Sequence, residues 1–130
     1  MLIVSGNPRY YQRLAPDRDS ADAYLKGFYQ RMRDGGFGDA NNALYTLDAS
    51  RDYDPSARLD RITTRVLAIN FADDQINPPE LGIMEQLIPR VKGAKYVLVP
   101  ASERTVGHGT HTKAEVWKQY LIGFLGELPK

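Results

Sequence analysis

The stretch of sequence that decides the fold is RVLAINFADDQINPPE, which occupies residues 65–80. Its first half, residues 65–72, is a nearly continuous run of apolar, β-forming residues, and such a run is typical of a strand buried in a parallel sheet. A loop follows that begins with two aspartates and ends with two prolines. The stretch therefore predicts a buried strand with acidic side chains just beyond its carboxyl end.

The alternation of strand and helix continues downstream. Pro78 and Pro79 are suited to the start of a helix over residues 80–88, which Pro89 would end. Residues 94–100, AKYVLVP, predict a second strand. The order strand, helix, strand, followed by a last helix, predicts the α/β class with parallel strands and right-handed crossovers.

The last helix has the clearest signal. Thr112 and Glu115 have the T-x-x-E spacing of a capping box, in which two side chains accept hydrogen bonds from free backbone N–H groups. The apolar residues that follow form one stripe at helical spacing, which we expect to be core rather than a cofactor platform. The stripe comprises Val116, Trp117, Tyr120, Leu121, Phe124 and Leu125.

Two helices are predicted upstream of the first strand. Asp19 or Ser20 could cap the first of them, an amphipathic helix with apolar residues at helical spacing. Gly35 and Gly36 suit its C-terminal end, because glycine adopts left-handed backbone conformations without strain. The second and shorter helix is expected over residues 40–49.

We expect one domain over residues 1–130, with a mostly helical, lid-like segment over 1–60 and a βαβα part over 61–130. Residues 1–18 lack clear periodicity and predict an irregular or short helical lead-in. Two buried parallel strands cannot cover their own edges and faces. Either further strands escape recognition, another chain completes the sheet, or the chain is the tail of a larger α/β protein.

Two loops beyond the predicted strand ends hold the candidate chemistry. Asp73 and Asp74 follow the first strand, and His108 follows the second in the stretch TVGHGTHT. The carboxyl ends of neighbouring parallel strands meet at one edge of a sheet, where α/β proteins gather functional groups. An acid and a histidine at that edge form the back half of an acyl-transfer triad, in which the histidine deprotonates a nucleophile and the acid fixes the histidine tautomer.

The segments LDRITTRVLAINFADDQINPPE and VPASERTVGHGTHTKAEVWKQYLIGFL resemble the C-terminal part of an α/β-hydrolase, most closely the branch of homoserine O-acetyltransferase-like proteins. In that branch one strand ends in an Asp with a Pro-Pro pair soon after it, and a further strand is followed by Gly-His. The upstream segment DANNALYTLDASRDYDPSARLDRI resembles the connection between the family's helical lid and its acid-bearing strand. The resemblance covers about residues 15–128 and implies a partial α/β-hydrolase fold.

The resemblance also implies roles for individual residues. Asp74 matches the triad acid of the family, with Asp73 as the fallback acid, and His108 matches the base. The acetyltransferases proper have an acid directly after the catalytic histidine, where this chain has Gly109, and this favours a hydrolase-like relative in general. The nucleophile elbow G-x-S-x-G is absent from the sequence, so the chain has an acid and a base but no nucleophile.

Each candidate residue has a structural alternative. Asp74 could close a turn or cap a helix, as aspartate often does after a strand. His111 is expected at the start of the last helix with a local hydrogen bond. Two histidines three residues apart in a glycine-rich loop are weak evidence for a metal site, and we expect neither a metal nor another cofactor.

The composition of the chain excludes several classes of chemistry and disfavours several kinds of partner. The chain has 130 residues, a net charge of +1 and no cysteine. The lack of cysteine excludes disulfides, thiolate catalysis and cysteine-based metal sites, and the balanced charge favours neither nucleic acid nor membrane as a partner. No signal peptide or membrane span is predicted, so we expect a cytoplasmic protein.

These observations predict a C-terminal fragment of an α/β-hydrolase or acyltransferase that is inactive alone. Its partner would be the missing N-terminal hydrolase half or a second copy of the chain. The parent family acts on small-molecule esters or acyl compounds. The alternative is a non-catalytic module, derived from the same fold, that associates with itself or binds another protein.

Overall fold

A computed structural model describes residues 6–34 and 39–129. The protein is a mixed helix and strand chain with one two-stranded parallel sheet. By their internal contacts the described residues form two units, one of residues 6–11 and 56–129 and the other of residues 12–34 and 39–55. The helices and strands are α1 (Pro8–Leu14), α2 (Arg18–Arg33), α3 (Ala40–Ser50), β1 (Leu67–Phe71), α4 (Ile83–Leu87), β2 (Lys95–Val99) and α5 (Ala114–Gly126).

Strands β1 and β2 confirm the two predicted strands and their parallel direction. They pair in register from Leu67 opposite Lys95 to Phe71 opposite Val99. Strand β1 is three residues shorter than the apolar run over residues 65–72, and β2 is two residues shorter than the run over residues 94–100. The Val66 carbonyl and the Ala72 N–H, just outside β1, still bond to β2. No third strand pairs with either of them in the part of the chain that the structure describes.

The core lies where α5 packs on the sheet. Phe71, Val99 and Val116 are buried together, at 5%, 5% and 7% exposure. Trp117 and Tyr120 pack against this cluster, in agreement with the prediction that the stripe is core. The stripe does not remain buried along the whole helix, since Leu125 is 54% exposed at the C-terminal end of α5.

The predicted capping box at the start of α5 is wrong. The N-cap residue is Lys113, which makes no side-chain capping bond. The preceding residues form a 3₁₀ turn, Gly109–Thr112, and the Thr112 hydroxyl donates to the Gly109 carbonyl 2.8 Å away within that turn. Thr112 therefore lies inside the 3₁₀ turn and not at the N-cap position that a capping box requires.

The predicted continuous helix over residues 80–88 is also wrong. Gly82 has a φ of +65°, a left-handed conformation that interrupts helical hydrogen bonding. The segment consequently splits into a 3₁₀ turn at Pro79–Leu81, the short helix α4 and a second 3₁₀ turn at Ile88–Arg90. Helix α4 does end before Pro89, at Leu87, and Pro89 lies inside that last turn.

The second unit contains α2 and α3, in which no residue is buried. The N-cap of α2 lies two or three residues earlier than the predicted Asp19 or Ser20, because Asp17 caps the helix with Ser20 as its capping-box partner. Asp39 caps α3 through the Asn41 N–H. The predicted C-terminal glycine cap, at residues 35–36, lies outside the described residues.

Candidate active site

The carboxyl ends of β1 and β2 bring the predicted acid and base together. Asp74 follows β1 by three residues, and its backbone N–H donates to the Phe71 carbonyl 3.0 Å away, which turns the chain sharply at the strand end. The loop after β2 returns His108 to the same edge of the sheet. The His108 Nδ1 atom lies 3.0 Å from Oδ2 and 3.2 Å from Oδ1 of Asp74.

The two partners differ in their exposure to solvent. The side chain of Asp74 is 4% exposed, and that of His108 is 31% exposed. The buried carboxylate suits an acid that orients the histidine, and the partly exposed imidazole ring suits a proton acceptor. The other ring nitrogen, Nε2, has no hydrogen-bond partner among the described residues, and His108 lines the cavity next to the site.

Asp74 also closes the turn after β1, which is the structural role expected of it as the alternative to a catalytic one. Its Oδ1 accepts hydrogen bonds from the Ile76 N–H at 2.8 Å and the Asn77 N–H at 3.0 Å. Burial by itself raises the pKa of Asp74, but the hydrogen bonds from Asn77, His108 and Ile76 outweigh burial and lower the pKa below its usual value. The carboxyl group is therefore held as an anion beside the imidazole.

Asp73, the fallback acid, makes its contacts elsewhere. Its Oδ2 accepts from the Asn7 amide, from the Thr105 hydroxyl at 2.8 Å and from the Gly107 N–H at 3.2 Å. The structure records no hydrogen bond between Asp73 and His108, so the imidazole is oriented by Asp74. Two adjacent aspartates thus serve two different sets of partners.

The turn that carries His108 is fixed by buried hydroxyl groups. Thr105 is 1% exposed and Thr110 is fully buried. The Thr110 hydroxyl accepts from the Val106 N–H at 2.9 Å. Gly107, directly before the histidine, has a φ of +73°, a conformation that favours glycine.

His111 lies beside the site in the 3₁₀ turn before α5. Its Nδ1 is 2.6 Å from the His108 carbonyl oxygen, which confirms the predicted local hydrogen bond. The Trp117 indole donates to the His111 carbonyl at 3.1 Å, so α5 anchors this turn. Among the described residues there is no cluster of three or more histidine, aspartate or glutamate side chains that could hold a metal ion.

A cavity of about 370 Å³ opens next to the Asp74–His108 pair. Its walls are mainly apolar, and they come from β1, from the proline-containing loop and from the first turns of the following segment. The apolar wall residues include Ile69, Phe71, Ile76, Pro78, Leu81 and Met84.

Sequence reasoning did not identify Asn70, Asn7 or Thr105. The Asn70 amide donates to the Asn77 carbonyl at 2.9 Å and thereby holds the loop that follows Asp74. A single amide inside the apolar run of residues 65–72 was a usable signal, because a buried polar side chain requires partners. Asn7 and Thr105 carried no such local signal.

The described residues contain no candidate nucleophile in this cavity. The serines of the described part of the chain are Ser20, Ser50, Ser56 and Ser102, and none of them lines it. The described helices also include none that is long and apolar enough to cross a membrane. No family model, no curated protein and no solved structure matches this chain.

Proposed function

We propose that this chain supplies the acid and the base of an acyl-transfer site of the α/β-hydrolase type, similar to that of homoserine O-acetyltransferase-like proteins. One observation carries the proposal: the Asp74 carboxylate lies 3.0 Å from His108 Nδ1 at the shared carboxyl edge of two parallel strands. Sequence motif, strand order and contact thus agree on the same two residues.

In this mechanism Asp74 keeps the Nδ1 proton on the His108 ring. The Nε2 lone pair then faces away from the carboxylate and can take the proton of an attacking hydroxyl group. The positive charge that develops on the imidazole is stabilised by the buried Asp74 anion. The low exposure of Asp74 strengthens that stabilisation, because water screens the charge pair less there.

The nucleophile comes from residues outside the described chain. The cavity brings a base to the substrate but no hydroxyl group that could form an acyl-enzyme, so the chain by itself would not turn over an ester. The largely apolar walls, including Ile69, Phe71 and Ile76, suit a small acyl group better than a charged one.

The experiment combines this chain with a polypeptide that contains G-x-S-x-G, first sought in the reading frame directly upstream. We expect hydrolysis of p-nitrophenyl acetate by the combination and not by this chain alone. His108→Ala should abolish it, whereas Thr112→Ala, an exposed change in the same turn, should not. If this chain alone hydrolyses the ester through His108, or if the combination tolerates His108→Ala, the proposal is wrong.

The second candidate function is a non-catalytic module that associates with itself. The edge of β1 that faces away from β2 favours it, because no strand among the described residues pairs there. The Val66 carbonyl and the Ala72 N–H bond to β2, so the backbone groups of Leu67 and Ile69 point away from β2. Strand β1 contains no charged residue and no proline, the usual protections of an exposed edge.

Light scattering tests this second function. A dimer or larger species is expected for the unaltered chain. Leu67→Pro removes an outward N–H at the first position of the strand, where proline is tolerated, and should shift the chain to monomer. A well-folded monomer at every concentration of the unaltered chain would exclude self-association.

A further inference from the structure

Asp73 is a nearly buried acid that the proposed reaction does not use. Its Oδ2 atom accepts three hydrogen bonds, from the Asn7 amide, the Thr105 hydroxyl and the Gly107 N–H. The Asn7 amide also reaches the Thr105 carbonyl at 3.3 Å. One carboxylate oxygen therefore joins the loop after β1 to two other parts of the chain, the segment at Asn7 and the turn at residues 105–107.

Two of these three contacts hold the turn that carries His108. Thr105 lies three residues before the histidine, and Gly107 lies directly before it. Close packing restricts this turn further, because a Cβ atom on Gly107 would lie 2.8 Å from the Asn7 backbone nitrogen and 3.0 Å from the Gly6 carbonyl carbon. The Gly107 backbone is thus fixed between Asp73 and the segment at Asn7.

The second carboxylate oxygen of Asp73, Oδ1, indicates that the network needs one acceptor oxygen from this residue and not both. Oδ1 is buried and has no hydrogen-bond partner among the described residues. All three donors converge on Oδ2, so the position of one acceptor oxygen matters and a second charged oxygen is not required. An asparagine could place its amide oxygen at the Oδ2 position and retain the three bonds.

We propose that Asp73 is a positioning residue for His108. By holding Thr105 and Gly107, it fixes the turn in the conformation in which His108 Nδ1 meets Asp74. The catalytic consequence rests on the proposed function, but the His108–Asp74 hydrogen bond exists in the free chain and can be measured there.

Nitrogen chemical shifts of the imidazole ring in alkaline solution report which ring nitrogen carries the proton. The unaltered chain should hold the proton on Nδ1 of His108, and Asp73→Asn should preserve this state. Asp73→Ala should move the population towards the Nε2–H tautomer, in the same direction as Asp74→Asn. Thr112→Ala, a change in the same turn without contact to Asp73, should leave the spectrum of His108 unaltered.

Two results would overturn the positioning role. The first is an unchanged His108 tautomer in a folded Asp73→Ala variant. The second is an equal loss of the Nδ1–H tautomer of His108 in Asp73→Asn and in Asp73→Ala. If Asp73→Ala does not fold by circular dichroism, Thr105→Val removes the hydroxyl group through which Asp73 holds the turn, and an unchanged His108 spectrum in it overturns the role as well.

Activity distinguishes this inference from the proposed function. In the reconstituted assembly, Asp73→Ala should lower kcat by up to about 100-fold with KM unchanged, the cost of a misplaced catalytic group. Activity that requires His108 but is insensitive to Asp73→Ala would reject the positioning role alone. A tautomer that depends on Asp73 in an assembly whose activity ignores His108 would reject the proposed function alone.

Discussion

The two units of the chain hold their structure in different ways. In residues 56–129, side chains from distant segments meet, and Asp74, Thr105 and Thr110 are buried polar groups with hydrogen-bond partners. Helices α2 and α3 contain no buried residue, and each begins at an aspartate whose side chain accepts a backbone hydrogen bond. The comparison teaches that the candidate site is built by tertiary contacts, whereas the helical unit is specified locally.

The strongest test of this comparison removes a core side chain from one unit and an apolar side chain from the other. Phe71→Ala should lower the free energy of unfolding by about 3–5 kcal/mol, because it opens a cavity in the core beside Val99 and Val116. Leu44→Ala in α3, where the side chain is 60% exposed, should change it by less than about 0.5 kcal/mol. Urea unfolding measures both, and equal losses would refute the distinction.

A smaller effect is expected at the glycine before the histidine. Gly107→Ala forces a side chain into a left-handed backbone and against the Asn7 nitrogen, which should cost about 1–3 kcal/mol. Gly123→Ala in α5 is the matched control, since its Cβ would meet nothing within 4 Å, and it should stabilise the chain by roughly 0.5–1 kcal/mol. If Gly107→Ala left the free energy of unfolding unchanged, the turn before His108 would not be fixed in its conformation.

The pH dependence of stability tests the Asp74 contacts. Burial alone would raise the pKa of Asp74, but its hydrogen bonds lower the pKa below the usual value of an aspartate. The stabilisation is complete above the pKa of the unfolded carboxyl group and is lost as pH falls through the lower folded value. Urea unfolding from about pH 6 to pH 2 should therefore show a loss of stability on acidification that is smaller in Asp74→Asn.

At neutral pH, Asp74→Asn should be less stable than the unaltered chain by about 1 kcal/mol, because a neutral amide replaces a charged acceptor. Asp60→Asn, at an exposed position, serves as the control and should follow the acid profile of the unaltered chain. An Asp74→Asn profile that coincides with that of the control would show that the contacts of Asp74 contribute nothing to stability.

The residues that sequence reasoning identified share one property: their signal is local. The apolar run of residues 65–72 and the positions of Asp74 and His108 after two strands are visible in short windows, and strand direction then brings them together. The contacts of Asn7 with the site were missed because their partners lie 66 and 98 residues away. The local pattern of Asn7 before Pro8 indicates only a helix cap, and Asn7 Oδ1 does accept from the Tyr10 N–H at 2.7 Å at the start of α1.

The errors in the helix predictions have the same origin. The spacing of Thr112 and Glu115 satisfies the capping-box rule, but Thr112 belongs to the 3₁₀ turn before α5 and Lys113 takes the N-cap position. Gly82 interrupts the predicted helix over 80–88 because it adopts a left-handed conformation, although a glycine in helical conformation would have cost only about 1 kcal/mol. In both cases tertiary placement of the loop overrides a local preference.

The smallest expected effect lies in the helical unit and tests whether local capping alone specifies it. Asp39→Ala removes the acceptor that lies 2.6 Å from the Asn41 N–H at the start of α3, and should reduce helix stability by about 0.5 kcal/mol. Asp39→Ser retains an acceptor at the cap and should restore it. Because α3 has no buried residue, a loss of helical circular dichroism confined to Asp39→Ala would show that capping specifies α3. An unchanged signal in both variants would show instead that contacts beyond the cap maintain α3.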